Sequence, residues 1–197
     1  MLFRDIAKGI QMKTKLKQSG VTLHELLVAM SISTILVSMA VPSYSQFMSK
    51  RRLSGASNLI SMYFDDIKMH SIKRNEFISI SYQISEDGNQ WCIGSVLGQD
   101  NSCDCMAEPN QCQIDSNVSS ISNTTYPEFD QIKPTFTGGT MTFDPVRGIL
   151  TNPADALNMQ IQHKSEDFQV NISVNATGTV RKCTPASHEL IGYPACI

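Results

Sequence analysis

The chain lacks most of what an enzyme needs, and what is missing is unevenly distributed along its 197 residues. Only four histidines occur, His24, His70, His163 and His188, and none stands at a metal-ligand spacing from another. Neither a Gly-x-Ser-x-Gly elbow nor a phosphate-binding Gly-x4-Gly-Lys-Ser/Thr loop is present. Internal repeats and low-complexity tracts are absent too, which excludes solenoids and long linkers. These absences leave no residue set for nucleophilic, phosphoryl-transfer or metal chemistry, so neither a cofactor nor a metal is expected, and the chain reads as a non-enzyme. Two further absences locate its parts. No cysteine precedes residue 90, and no charged side chain lies between Leu26 and Ser49.

The uncharged interval is the first positive signal. Leu26–Phe47 gives about 22 helical residues, close to the ~20 needed to cross a bilayer core of ~30 Å. Ser31, Ser33, Thr34 and Ser38 do not forbid insertion, because a helical hydroxyl can bond to a carbonyl one turn back. Pro42 removes a backbone donor and is expected to kink the helix. Within residues 1–20 Arg4, Lys8, Lys13, Lys15 and Lys17 face a single acid, Asp5. Of 16 basic and 18 acidic residues, 11 and 17 remain beyond residue 20, a formal charge of −6. Basic flanks stay cytoplasmic. The part after the span is therefore expected outside the inner membrane, and its acidity argues against a strong polyanion binder.

The cysteines agree with that side of the membrane. Cys92, Cys103, Cys105, Cys112, Cys183 and Cys196 are even in number and confined to the exported part, which fits disulfides in an oxidising compartment. Zinc is the competing reading, but the usual Cys-x2-4-Cys spacing is missing. A Cys183–Cys196 link would tie the C-terminus onto the last strand, worth roughly 3 kcal/mol in the chain-entropy model. Cys103 and Cys105 are too close in sequence to pair without strain. With 183–196 paired, Cys92 and Cys112 each take one of that pair, and the sequence leaves open which.

A simple anchor would explain the apolar run but not what precedes it, and an ordinary secretory signal cut near Ser38-Met39-Ala40 would explain the basic and apolar parts. Neither explains Glu25, a carboxylate that costs about 2.5–3.5 kcal/mol near a bilayer centre. The segment Ser19-Gly20-Val21-Thr22-Leu23-His24-Glu25-Leu26-Leu27-Val28 resembles the class III signal of type IV pilins and type II secretion pseudopilins. The resemblance implies cleavage after Gly20 by a prepilin peptidase, methylation of the new amine on Val21, and retention of the helix. Glu25 falls at the fifth mature position, which in the family pairs with an N-terminal amine during assembly. Pro42 falls where pilins carry their kink. Val21 replaces the usual phenylalanine, and His24 stands where an aliphatic residue is commoner. Met12 to Gly20 is a compact leader of the pilin kind, so Met12 is the expected start; residues 1–11 found in uncleaved precursor would refute this.

Beyond Pro42, Leu53, Ala56, Leu59, Ile60, Tyr63, Phe64 and Ile67 recur at three- and four-residue steps, with Ser57, Asn58, Asp65 and Lys68 largely elsewhere. One helix over Val21–Lys73 is expected. The period then changes. Phe77–Ile84 alternates as a half-buried strand, and Gln90–Leu97, Gly139–Phe143, Met159–His163, Phe168–Val174 and Thr179–Cys183 read as further strands. Turns are signalled at Asp87-Gly88, Asp144-Pro145, Asn152-Pro153 and Thr177-Gly178, and Asp115–Thr125 reads as a surface loop. The fold class is α+β, a long helix on an antiparallel sheet, pilin-like. The domains are a leader (1–20), a transmembrane and assembly helix (21–47) and a periplasmic globular part (48–197).

Trp91-Cys92-Ile93-Gly94, Phe143-Asp144-Pro145-Val146-Arg147-Gly148 and Gly178-Thr179-Val180-Arg181-Lys182-Cys183 resemble the FimT/GspH-like branch of that superfamily. The branch implies a structural minor pilin, with other pilins and the prepilin peptidase as partners. It leaves two alternatives: a type II secretion tip pseudopilin, and a DNA-binding subunit for uptake. DNA binding in the branch goes with a Gly-Arg-x-Arg motif. Here Gly178-Thr179-Val180-Arg181 keeps one arginine of two, and Lys182 points to the opposite strand face. Arg181 and Lys182 are the candidate DNA contacts. Lys50-Arg51-Arg52 is expected to snorkel toward headgroups.

Overall fold

The computed structural model describes residues 20–196 apart from 138, 166 and 189, so residues 1–19 of the expected leader, with Met12, lie outside the described residues. One helix, α1, runs Leu23–Arg74. The chain divides into two compact units at Pro42/Ser43.

In the second unit, α1 contributes Leu53, Ala56, Ile60, Phe64 and Ile67 to one core shared with two antiparallel sheets. The strands are β1 (Ile78–Ile84), β2 (Trp91–Leu97), β3 (Gln113–Ile114), β4 (Asn117–Val118), β5 (Ser120–Ser122), β6 (Ile132–Thr137), β7 (Met141–Phe143), β8 (Leu157–His163), β9 (Gln169–Val174) and β10 (Val180–Cys183). The first sheet has the order β5-β2-β1-β7 and the second β10-β9-β8-β6, with β3-β4 as a small hairpin. Every pairing between these strands is antiparallel, as β1 against β2 with Ile78 opposite Leu97 and Ile84 opposite Trp91. The expected α+β arrangement is therefore present, with two four-stranded sheets where one was expected.

Four local expectations are corrected. The stretch Asp115–Thr125 is not a loop: it holds the turn of the β3–β4 hairpin, then β5, whose Ile121 is buried. Its turn residues, Asp115 and Ser116, sit at φ 53° and 61°. That is the geometry of a tight two-residue hairpin, built without the Asn-Gly or Asp-Gly pair that announces one. β6 was missed because Pro134 lies inside it; the strand is the edge of its sheet, where proline costs no ladder bond. Ser57 is fully buried under the C-terminal loop, its Oγ 2.5 Å from the Tyr193 hydroxyl.

The fourth correction concerns β1. Its first four residues are buried on both faces, not one. Ile78 and Ile80 enter the core. Ser79 donates from Oγ to Gly98 O at 2.7 Å and lies 2.8 Å from Thr142 Oγ1, while Ser81 Oγ accepts from Cys103 N at 3.3 Å. The covering layer is the loop between β2 and β3, clamped by Cys92–Cys105 and Cys103–Cys112, with Cys183–Cys196 closing the C-terminus.

The β1–β2 turn gives a pH marker for this fold. Ser85 Oγ donates to Asp87, and Asn89 adds its backbone N–H at 3.0 Å and its side-chain amide at 2.9 Å. These donors hold the Asp87 carboxyl down at about 2. A depressed carboxyl contributes stability above its unfolded value and loses it as pH falls through about 2. In an NMR titration Asp87 is expected to be among the last carboxylates to protonate, and Ser85→Ala should move its midpoint upward.

Candidate assembly surface

The first unit contains the residues on which the processing and assembly expectations rest. Thr22 starts the helix: its Oγ1 accepts from the Glu25 N–H at 3.2 Å, and its carbonyl accepts from Leu26 N at 3.1 Å. Threonine three residues before glutamate is the sequence of a capping box, which places the Glu25 carboxylate in the first turn, near the positive end of the helix. The motif reading missed this capping role, although Thr22-x-x-Glu25 was visible as a helix-start signal.

From Leu23 to Met39 every residue is exposed in the isolated chain. The hydroxyls on this stretch are satisfied internally: Ser31 donates to Val28 O at 2.8 Å, Ser33 to Ala29 O at 2.8 Å, Thr34 to Ser31 O at 2.8 Å and Ser38 to Ile35 O at 2.7 Å. Outside partners are thus not needed for these hydroxyls, while the apolar side chains have no cover. A helix apolar on all sides needs lipid or other helices around it. α1 is long and apolar enough here to cross a membrane. The helix assignment continues through Pro42.

In the second unit the cationic candidates separate. Lys182 Nζ donates to Asn58 Oδ1 of α1 at 2.6 Å and lies 5.9 Å from the centre of the Tyr193 ring. It fastens β10 to the helix. Arg181 is on the other face of β10 and exposed. The two do not form a joint phosphate-binding pair. Gly178 explains the rest of that motif: it sits at φ +67°, its carbonyl accepts from Lys68 Nζ at 3.0 Å, and a Cβ there would strike the Gly148 carbonyl. Lys50 lies 4.7 Å over the Phe168 ring, leaving Arg51 and Arg52 exposed.

Charge on the rest of the helix end is held locally. Arg74 makes a two-pronged contact with Asp115, one prong at 2.9 Å, and Nε donates to Glu76 at 3.1 Å. Tyr63 donates to Ser95 Oγ and Ser119 O, both at 2.9 Å, and its burial pushes the phenol up. Among the described residues no three histidine, cysteine or acidic side chains converge as a metal site.

A family model described as type II transport protein GspH matches residues 67–178. The model of the prokaryotic N-terminal methylation motif matches residues 15–41. No curated protein matches the chain. Among the solved structures similar to it are two of the minor pseudopilin EpsH from the type 2 secretion system of Vibrio cholerae. One is 12% identical, with a TM-score of 0.43, over 68% of this chain and 98% of that one. The other is 11% identical, with a TM-score of 0.43, over 71% and 99%.

Proposed function

The chain belongs to the type II transport protein GspH family, and from that membership we propose a non-catalytic, pilin-like subunit that inserts in the inner membrane by its N-terminal helix. It is then built into a pilus or pseudopilus. The observation that carries this reading is the coincidence, within residues 15–41, of the methylation motif, an uncovered apolar helix and its one acid, Glu25.

The sequence of events follows from the chemistry. A prepilin peptidase cuts after Gly20 and frees the amine of Val21, which is then methylated. The apolar helix stays in the lipid with the basic leader side inward and residues 48–197 in the periplasm. Neighbouring pilin helices replace lipid around it as the filament grows. An ammonium of a neighbour then compensates Glu25, and a bend at Pro42 adjusts the helix to the filament.

Two settings fit, a minor type IV pilin and a type II secretion pseudopilin. The family description favours the second. DNA capture is the weaker reading, because Lys182 is committed to Asn58 and Tyr193. With Arg181 as the motif's one arginine, the counterion release it contributes to duplex binding is small, about 0.9 in log affinity per decade of salt for each phosphate.

N-terminal sequencing of the protein isolated from membranes tests the reading. The expected mature terminus is Val21, methylated or free. A protein beginning at Val41, without the helix, would overturn it.

A further inference from the structure

Four asparagines beyond the apolar span stand two residues before a serine or threonine: Asn117, Asn123, Asn171 and Asn175. Asn-x-Ser/Thr, with x other than proline, is the acceptor sequence for N-linked saccharides, which are bulky, polar and carried on surfaces. The fold treats the four very differently.

Asn123 is buried, its Oδ1 accepting from Trp91 N at 3.0 Å and its amide donating to Asn89 O at 2.8 Å. Asn171 is half-buried in β9, between β8 and β10, and its Oδ1 accepts from Gln169 Nε2 at 2.6 Å. Asn175 builds the β9–β10 turn. Its Oδ1 accepts from Thr179 N at 2.9 Å and from the hydroxyl of its own triplet, Thr177, at 2.7 Å. Of the four, only Asn117 is exposed, in the short strand β4 just past the Asp115-Ser116 turn. Its amide donates to Asp115 O at 3.1 Å, a contact within that turn.

A second criterion selects the same residue. Oligosaccharyltransferases of the periplasm require a carboxylate two positions before the asparagine, where a cation of the enzyme pairs with it. The residues at that position are Asp115, Ile121, Gln169 and Ser173, so Asn117 has the acid and the others do not. Local sequence and tertiary exposure, which are independent of each other, thus agree on one asparagine.

We infer that Asn117 is the acceptor of an N-linked saccharide, transferred outside the inner membrane from a lipid-pyrophosphate donor. Nδ2 attacks C1 of the first sugar. The N–C1 bond forms as the C1–O bond to the pyrophosphate breaks. The lipid pyrophosphate leaves with that electron pair, and a base of the transferase takes the amide proton. In the folded domain Asp115 is held by Arg74, and Ser119 lies with its Oγ 2.6 Å from Ser95 Oγ. Transfer therefore precedes closure of the β3–β4 hairpin onto α1. After closure Asn117 remains outside, so the sugar displaces no core, whereas on Asn123 it would break buried hydrogen bonds. The inference rests on the periplasmic placement of residues 48–197.

The test is peptide mass spectrometry of the full chain purified from its native membranes, alkylated without reduction. A saccharide mass is expected on the peptide holding Asn117 and on none holding the other three. Asn117→Gln and Ser119→Ala should abolish it, and Ser119→Thr should keep it. Asp115→Ala should lower occupancy by roughly tenfold or more, the worth of a hydrogen bond to a charged group. Arg74→Ala breaks the same ion pair but leaves the acid, and should leave occupancy equal or higher. A bare Asn117, a saccharide on another asparagine, or occupancy indifferent to Asp115→Ala would overturn the proposal. The alkylation pattern keeps the two readings apart. Intact disulfides with a bare Asn117 defeat the saccharide alone, whereas alkylated thiols at all six cysteines count against the periplasmic placement.

Discussion

Glu25→Ala is expected to leave leader cleavage intact and, on the proposed pairing with a neighbour's ammonium, to reduce recovery of the protein in sheared filaments by roughly 100-fold or more, because removing one partner of a buried ion pair costs about 3–5 kcal/mol. The structure separates this from a simple helix-stability effect. Thr22 supplies the cap hydroxyl to the Glu25 backbone N–H, a bond that survives loss of the side chain. The carboxylate's favourable interaction with the helix end is worth only about 0.3–1 kcal/mol. A capping role alone would therefore cost less than tenfold. Glu25→Gln keeps the shape and polarity but not the charge, and should fail as alanine does. Glu25→Asp, which keeps the charge on a shorter arm, should restore part of the assembly. Western blots of sheared and membrane fractions, with the leader followed by size, make the measurement. Equal recovery of wild type and Glu25→Gln would show that an ammonium partner is not what the acid serves.

The second large effect is expected at Gly94. In β2 it pairs with Ser81 of β1 and Ser120 of β5, and it lies beneath the clamped loop. A Cβ at this position would meet the Cys112 sulfur, stand 2.7 Å from Cys112 Cβ and 3.1 Å from Cys105 Cβ. Those two cysteines belong to different disulfides, Cys103–Cys112 and Cys92–Cys105, so neither obstacle is the free end of a flexible side chain. Overpacking of a rigid neighbour costs about 1–3 kcal/mol. Gly94→Ala should sit at the upper end, a fall in melting temperature of roughly 6–12 °C for a domain of this size. Gly139→Ala, where an added Cβ meets nothing within 4 Å, is the control and should melt within about 1 °C of the parent. If the two variants melt alike, the loop is not seated on β2 as described.

What could be read in advance divides along a physical line. The helix was legible because its signals are local. An uncharged apolar run, followed by a stripe from Leu53 to Ile67, needs only a period of 3.6 residues to be recognised, and α1 ends within two residues of the expected limits. The stronger strands were legible for the same reason, as in β8, where buried and exposed residues alternate from Leu157 to His163. The acid at position 25 was legible because its cost in lipid depends on its neighbours in sequence alone. β3, β4 and β5 were not, since a hairpin turned by Asp115-Ser116 carries no turn-specific pair. Nor was β6, where Pro134 is acceptable only once the strand is known to be an edge.

The linear chain thus determined the membrane-length helix, its acid, its processing motif and the change from helical to alternating period, since each depends on residues a few positions apart. Tertiary structure alone decided four things. Cys92 went with Cys105 and Cys103 with Cys112, Ser79 and Ser81 were buried under the clamped loop, Lys182 was taken up by Asn58, and Met62 and Met69 of α1 were left beside Ile121. Each of these joins groups that are distant in sequence. Their meeting follows from how two sheets and a helix close on one core, a geometry that no local pattern encodes.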